Sequence, residues 1–210
     1  GGGLTMTPSG RSIPGIQRFR TGFTDLAHGI WLGRSTPLVG TELCELHGRI
    51  MSRELSAAGI NFPLTLVADL AYGLFSVRGV STNADVVSKC VASFTAAAAK
   101  AGPVIVVTKH FPGLGGNRGD THDVESTSSA RDLNEAERHL SPFANVIATA
   151  NSYRFEDRLS IMSSHGKFPF FDPDHLTTES SILLEKILRD RLGFRGIRVS
   201  DAMWMGQYGQ

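Results

Sequence analysis

Four short apolar runs in this chain each lead into a polar side chain, and this regularity limits the fold more than any other feature. Ile60–Ala68 leads into Asp69, Val104–Val107 into Lys109 and His110, Leu159–Ser163 into His165, and Ile197–Ser200 into Asp201. Apolar runs of this length read as buried parallel strands. Helical patterns lie between them. Residues 41–58 carry Leu43, Leu46, Ile50 and Leu55 at roughly helical spacing, and Gly59 stops them. Residues 84–101 place Val87, Val91, Phe94 and Ala98 on one face ahead of Gly102. Asp132 and Glu135 form a capping pair for a helix over 133–149. Residues 179–192 carry Leu183, Leu184, Ile187 and Leu188, with Gly193 just past their end. Helices alternating with short strands predict right-handed βαβ units on a parallel sheet. In a (β/α)8 barrel the C-terminal strand ends form one rim, and catalysis happens there. The expectation is an α/β chain folded as a partial TIM-type barrel with about four βα units.

The stretch from Val107 to His122 is the richest in chemistry. It leaves a strand at Lys109-His110, passes through Phe111-Pro112-Gly113-Leu114-Gly115-Gly116, and closes on Asp120-Thr121-His122. The connection runs on to Arg131, far beyond the usual 2–6 residues of a βα loop. Long loops of this kind are functional or disordered, and the glycines imply mobility or unusual dihedrals. The bland reading is a solvated polar loop. The sharper one is a lid: an Asp two residues from a His can hold one imidazole nitrogen and free the other for proton transfer.

Composition excludes several classes. The net charge of +1 gives no electrostatic reason to expect nucleic acid or an anionic membrane as partner. No run of about 18 apolar residues exists, so no transmembrane helix is expected. Cys44 and Cys90 each fall inside a helical pattern and read as buried free thiols rather than as a disulfide or metal site. The histidines lack tight ligand spacing, so no metal is expected.

Lys109-His110-Phe111-Pro112-Gly113 followed by Asp120-Thr121-His122 resembles the signature of bacterial β-N-acetylglucosaminidases of glycoside hydrolase family 3. The likeness extends from about Gln17 to Met205. It includes Gln17–Thr24, Gly59-Ile60-Asn61-Phe62, Val67-Ala68-Asp69-Leu70, Ile161–His165, Leu192–Gly196 and Ser200-Asp201. It implies a retaining glycosidase without cofactor. Asp201 would be the nucleophile, and His122, polarised by Asp120, the acid/base. Lys109, His110 and Arg78 would bind sugar hydroxyls, and His165 would stand with them or in the layer just behind. The implied substrate is a saccharide ending in β-linked N-acetylglucosamine, from peptidoglycan fragments in cell-wall recycling. Such a role implies the cytoplasm, with an exported lipoprotein as the alternative. A β-glucosidase, a glycoside phosphorylase on the same scaffold and an inactive sugar-binding fragment are the rival readings.

The chain departs from that pattern at three places. Leu114 stands where the family has a His, and Ala202 where a second Asp is frequent. Residues 1–15 match poorly and lack the acidic Gly-Gly segment that contributes an Asp to substrate binding. With four strong strands against the eight of a closed barrel, residues 16–210 are expected to be an incomplete catalytic barrel within a longer enzyme.

Overall fold

The computed structural model describes residues 37–75, 78–118 and 126–204. Gly1–Gly15, Gln17–Thr24, Asp120 and His122 lie outside the described residues. Among the described residues three α-helices are present: α1 (Pro37–Ala57), α2 (Ala84–Ala101) and α3 (Leu133–Tyr153). A fourth helical segment, α4 (Ile182–Arg191), is wound with i→i+5 hydrogen bonds, as in the 2.9 Å bond from the Leu192 amide to the Ile187 carbonyl. Strands β1 (Val106–Phe111), β4 (Leu159–Ser163) and β7 (Ile197–Ser200) form a parallel sheet in the order β1-β4-β7. Neighbours in the sheet follow chain order and each crossover carries a helix, which is the winding of a (β/α) barrel.

The expected strand over Ile60–Ala68 does not form as a regular strand. The segment runs beside β1, with the Ile105 amide bonded to the Asn61 carbonyl at 2.8 Å and the Ala68 amide to the Lys109 carbonyl at 2.7 Å. Its ladder reduces to one parallel bridge, Val67 with Lys109. The cause lies in two residues. Pro63 has no amide to donate, and Leu66 takes φ +73°, which turns the chain out of the extended conformation.

Local signals account for the helix ends. The Asn83 side chain caps α2 by accepting from the Asp85 and Val86 amides. Asp132 accepts from the Glu135 amide at 2.9 Å, and Glu135 reaches back to the Arg131 amide at 2.8 Å, which is the expected capping pair. At the far end α3 runs to Tyr153 instead of 149, because Arg154 supplies the left-handed cap at φ +56° where no glycine marks the stop.

The core lies between helices and sheet. Phe94, Leu140, Phe143, Ile147, Leu159, Ile161 and Leu183 are fully buried there. Phe143 of α3 meets Phe111 of β1 edge-on at 5.5 Å between ring centroids, which ties the helix to the strand end that carries Lys109 and His110. Helix α2 packs between α1 and α3. At its contact with α1 the two cysteines are joined: Cys44 and Cys90 form a disulfide with their Cα atoms 5.4 Å apart. This corrects the expectation of free thiols. The helical pattern placed both residues on buried faces, but the faces pack on each other, a pairing that spacing along the chain does not reveal.

A second sheet sits at the C-terminal ends of the strands. It contains β2 (Asn117–Arg118), β3 (Thr127–Ser128), β5 (Lys167–Phe168) and β6 (Asp172–Leu176) in the order β2-β3-β5-β6. Strands β2 and β3 are the two feet of the long loop, paired antiparallel through Arg118 and Thr127. The loop therefore has an anchored stem.

Candidate active site

The end of β1 brings Lys109 and His110 to the rim. Its ladder with β4 steps between Lys109 and Phe111 and leaves His110 out of register. Irregularities of this kind re-aim side chains next to functional sites. The Lys109–His110 and Phe111–Pro112 peptide bonds are cis. Both His110 and Lys109 are buried.

Asp69 ties this strand end to the turn beyond it. It is fully buried, and its Oδ2 accepts from His110 Nδ1 at 2.7 Å and from the His110 amide at 3.2 Å. Its Oδ1 accepts from the Leu114 amide at 2.6 Å. One carboxylate thus binds the imidazole and closes the turn after Phe111-Pro112-Gly113. It is the backbone of Leu114 that serves here, and its side chain is buried. The turn needs its glycines for geometry. Gly113 takes φ +125°, and a Cβ on Gly115 would lie 2.1 Å from the Leu70 carbonyl oxygen.

The other nitrogen of His110 faces the end of β7. Its Nε2 lies 3.7 Å from Asp201 Oδ2. The Asp201 amide donates to the Ser163 carbonyl at 3.0 Å, and its Oδ1 accepts from the Ala202 amide at 2.9 Å, so the turn after β7 is fixed to β4. His165 holds the same turn from the other side. Its Nε2 lies 3.2 Å from the Ala202 carbonyl oxygen and its Nδ1 3.0 Å from Thr178 Oγ1. Thr178 in turn donates to the Ser164 carbonyl at 2.7 Å. Both ring nitrogens of His165 therefore have partners within the protein.

Arg78 reaches the site through an aromatic. Its guanidinium lies 5.2 Å from the Phe75 ring centroid, and Phe75 packs at 5.4 Å against His110. Burial pushes the Lys109 ammonium below its usual range, and Arg78 acts in the same direction, while Asp201 and Asp69 oppose both. Two cations and two carboxylates thus share one rim, with an imidazole between the carboxylates.

Lys109, His110, His165 and Asp201 stand together at the strand ends, and Arg78, which belongs to no strand, joins them through Phe75. Asp120 and His122 lie outside the described residues. Phe75, Thr178 and the Leu114 amide were not foreseen. Asp69 was visible as a strand-end carboxylate, but its partners were not, since they lie 41 and 45 residues away.

Comparison with known proteins decides the family. Residues 13–210 match the glycosyl hydrolase family 3 N terminal domain. The chain belongs to glycoside hydrolase family 3. A β-hexosaminidase from Nitrosomonas eutropha is 34% identical over 197 residues, which cover 90% of this chain and 54% of that protein. One from Thioalkalivibrio sulfidiphilus is 34% identical over 196 residues, with the same coverages of 90% and 54%. Among solved structures, a family 3 β-N-acetylglucosaminidase from Paenibacillus superposes with a TM-score of 0.71 at 30% identity, covering 80% of this chain and 32% of that one. NagZ from Neisseria gonorrhoeae superposes at 0.72 with 29% identity, covering 86% and 50%. The chain therefore spans about half the length of the curated relatives it matches.

Proposed function

We propose that this chain is the catalytic part of a retaining glycosidase that releases terminal β-linked N-acetylglucosamine. The observation that carries the reading is the approach of Asp201 to His110 beside Lys109 at the ends of β7 and β1. A carboxylate at the strand ends can attack an anomeric carbon and form a covalent glycosyl-enzyme. Lys109, His110 and Arg78 bind hydroxyls, so that binding energy orients the ring. His165 keeps Asp201 aimed by gripping the turn beyond it. The proton for the leaving oxygen comes from His122, polarised by Asp120, both in the connection between β2 and β3. Imidazole suits this role because it titrates near neutrality and can serve as acid in one step and base in the next.

The N-acetylglucosaminyl group is supported by NagZ from Neisseria gonorrhoeae, 29% identical to this chain and solved with N-trifluoroacetyl-D-glucosamine; peptidoglycan fragments are the source that the family resemblance implies. The Cys44–Cys90 bond supports export to an oxidising compartment over the cytoplasm. The test uses the full-length protein and an aryl β-glycoside. Release from the N-acetylglucosaminide well above that from the glucoside, unchanged by added phosphate, supports the reading. Preference for the glucoside, or a sugar phosphate as product, would replace it with a β-glucosidase or a phosphorylase.

A further inference from the structure

We infer that Asp69 is a positioning residue of this site: it holds His110 in the Nδ1–H form, so that Nε2 presents a lone pair to a sugar hydroxyl beside Asp201. The inference rests on the glycosidase reading for the identity of the hydroxyl, but not for the state of the imidazole.

The hydrogen-bond inventory around Asp69 leaves little freedom. A carboxylate accepts and cannot donate. Asp69 Oδ2 lies 2.7 Å from His110 Nδ1, so the proton of that contact belongs to the imidazole. In the neutral ring Nε2 is then the acceptor. It faces Asp201 Oδ2 at 3.7 Å, too far for a direct hydrogen bond and with an acceptor on either side. Two acceptors across such a gap call for a donor between or beside them, and a sugar hydroxyl is one. Asp69 is fixed for this task by its other contacts. Its Oδ1 is engaged by the Leu114 amide at 2.6 Å and its Oδ2 also takes the His110 amide at 3.2 Å, so the carboxylate cannot rotate without losing the turn. Phe75 closes the ring from the side at 5.4 Å. The arrangement matches the general logic by which a buried carboxylate selects one imidazole tautomer.

Asp69→Asn reverses this logic at nearly constant volume. The amide oxygen stays with the shorter backbone contact, the Leu114 amide at 2.6 Å, and the NH2 gives up the longer 3.2 Å bond from the His110 amide; facing His110 Nδ1 as a donor, it favours the opposite tautomer. Nε2 then carries the hydrogen and no longer accepts. The experiment labels histidine with 15N in the full-length protein at neutral pH and assigns the His110 resonances by their loss in His110→Gln. The wild type is expected to show a protonated Nδ1 and an unprotonated Nε2, and Asp69→Asn the reverse. On the parent aryl N-acetylglucosaminide, kcat/KM of Asp69→Asn should fall about 10- to 100-fold. Among the 3-, 4- and 6-deoxy glycosides one should bring that ratio close to unity, because it lacks the hydroxyl that Nε2 receives. A protonated Nε2 in the wild type overturns the inference, whether or not Asp69→Asn folds. So does an unchanged tautomer in the folded variant, or the same loss on all three deoxy substrates. The resonances need no turnover, so a protein with the expected tautomer that does not release N-acetylglucosamine would count against the glycosidase reading and not against Asp69.

Discussion

At the scale of residues, the two proposed catalytic groups make opposite demands on the leaving group. His122→Ala removes the proton donor, which matters little for an activated aryl oxide and greatly for a sugar or alkyl alcohol. A general acid contributes about 10²–10⁴-fold, so single-turnover glycosylation should fall by that order on natural substrates and far less on activated ones. Asp201→Ala removes the nucleophile, and both substrate types should fail alike. Equal damage to both types by His122→Ala would show that His122 is not the acid. A different histidine governs stability. His47 lies buried in α1, edge-on to Phe94 at 5.2 Å, and burial lowers its pKa from 6.5 to about 4. The unfolded chain therefore binds a proton that the folded chain resists. This contribution is intact above the unfolded pKa and is lost as pH falls from 6.5 towards 4, by at most about 3 kcal/mol. Denaturant titrations across that window should show stability falling towards acid, with a shallower slope in His47→Phe. Equal slopes in the two proteins would remove His47 from the account.

At the scale of elements, periodicity read well wherever local chemistry set the boundary. Helix α2 begins and ends at 84 and 101 as its pattern requires, and β4 and β7 coincide with their apolar runs. It read poorly where a distant partner or an unusual dihedral decided. The Ile60–Ala68 segment was legible as an apolar strand, but Pro63 and the positive φ of Leu66 keep it from being a full one. The rim carboxylates and imidazoles were legible because strand ends in a parallel sheet share one face. Thr178 was not, since nothing local distinguishes a threonine that bonds a histidine from one that faces water. The disulfide was hidden for a similar reason: its two halves are 46 residues apart on different helices. It should stabilise the α1–α2 pair by about 2–4 kcal/mol, chiefly by restricting the unfolded chain. Thermal unfolding with and without reductant measures this. A Cys44→Ala/Cys90→Ala variant should show the lower Tm under both conditions, and a Tm independent of reductant in the parent would contradict the bond's role.

At the scale of the whole molecule, β7 carries the last argument. Its apolar Ile197 is 52% exposed, and among the described residues β7 pairs on one side alone, with β4. Asp201 stands at the tip of this strand. In a closed barrel the edge would pair with a further strand, and that pairing would both cover Ile197 and hold Asp201, the proposed nucleophile, to within a fraction of an ångström. The curated relatives are about twice as long as the part this chain matches, which leaves room for those strands. We therefore expect the 210-residue chain by itself to associate through its open edge and to turn over poorly. Misplacement of a reacting group by about 1 Å can cost about 10²-fold. On an activated aryl N-acetylglucosaminide, the isolated chain should thus fall short of the full-length enzyme by at least about that factor. Light scattering should show species heavier than the monomer, and Ile197→Lys should reduce them by charging the edge. A monodisperse monomer that unfolds cooperatively and matches the full-length enzyme in turnover would show that the site is complete without closure, and that β7 is held by β4 alone.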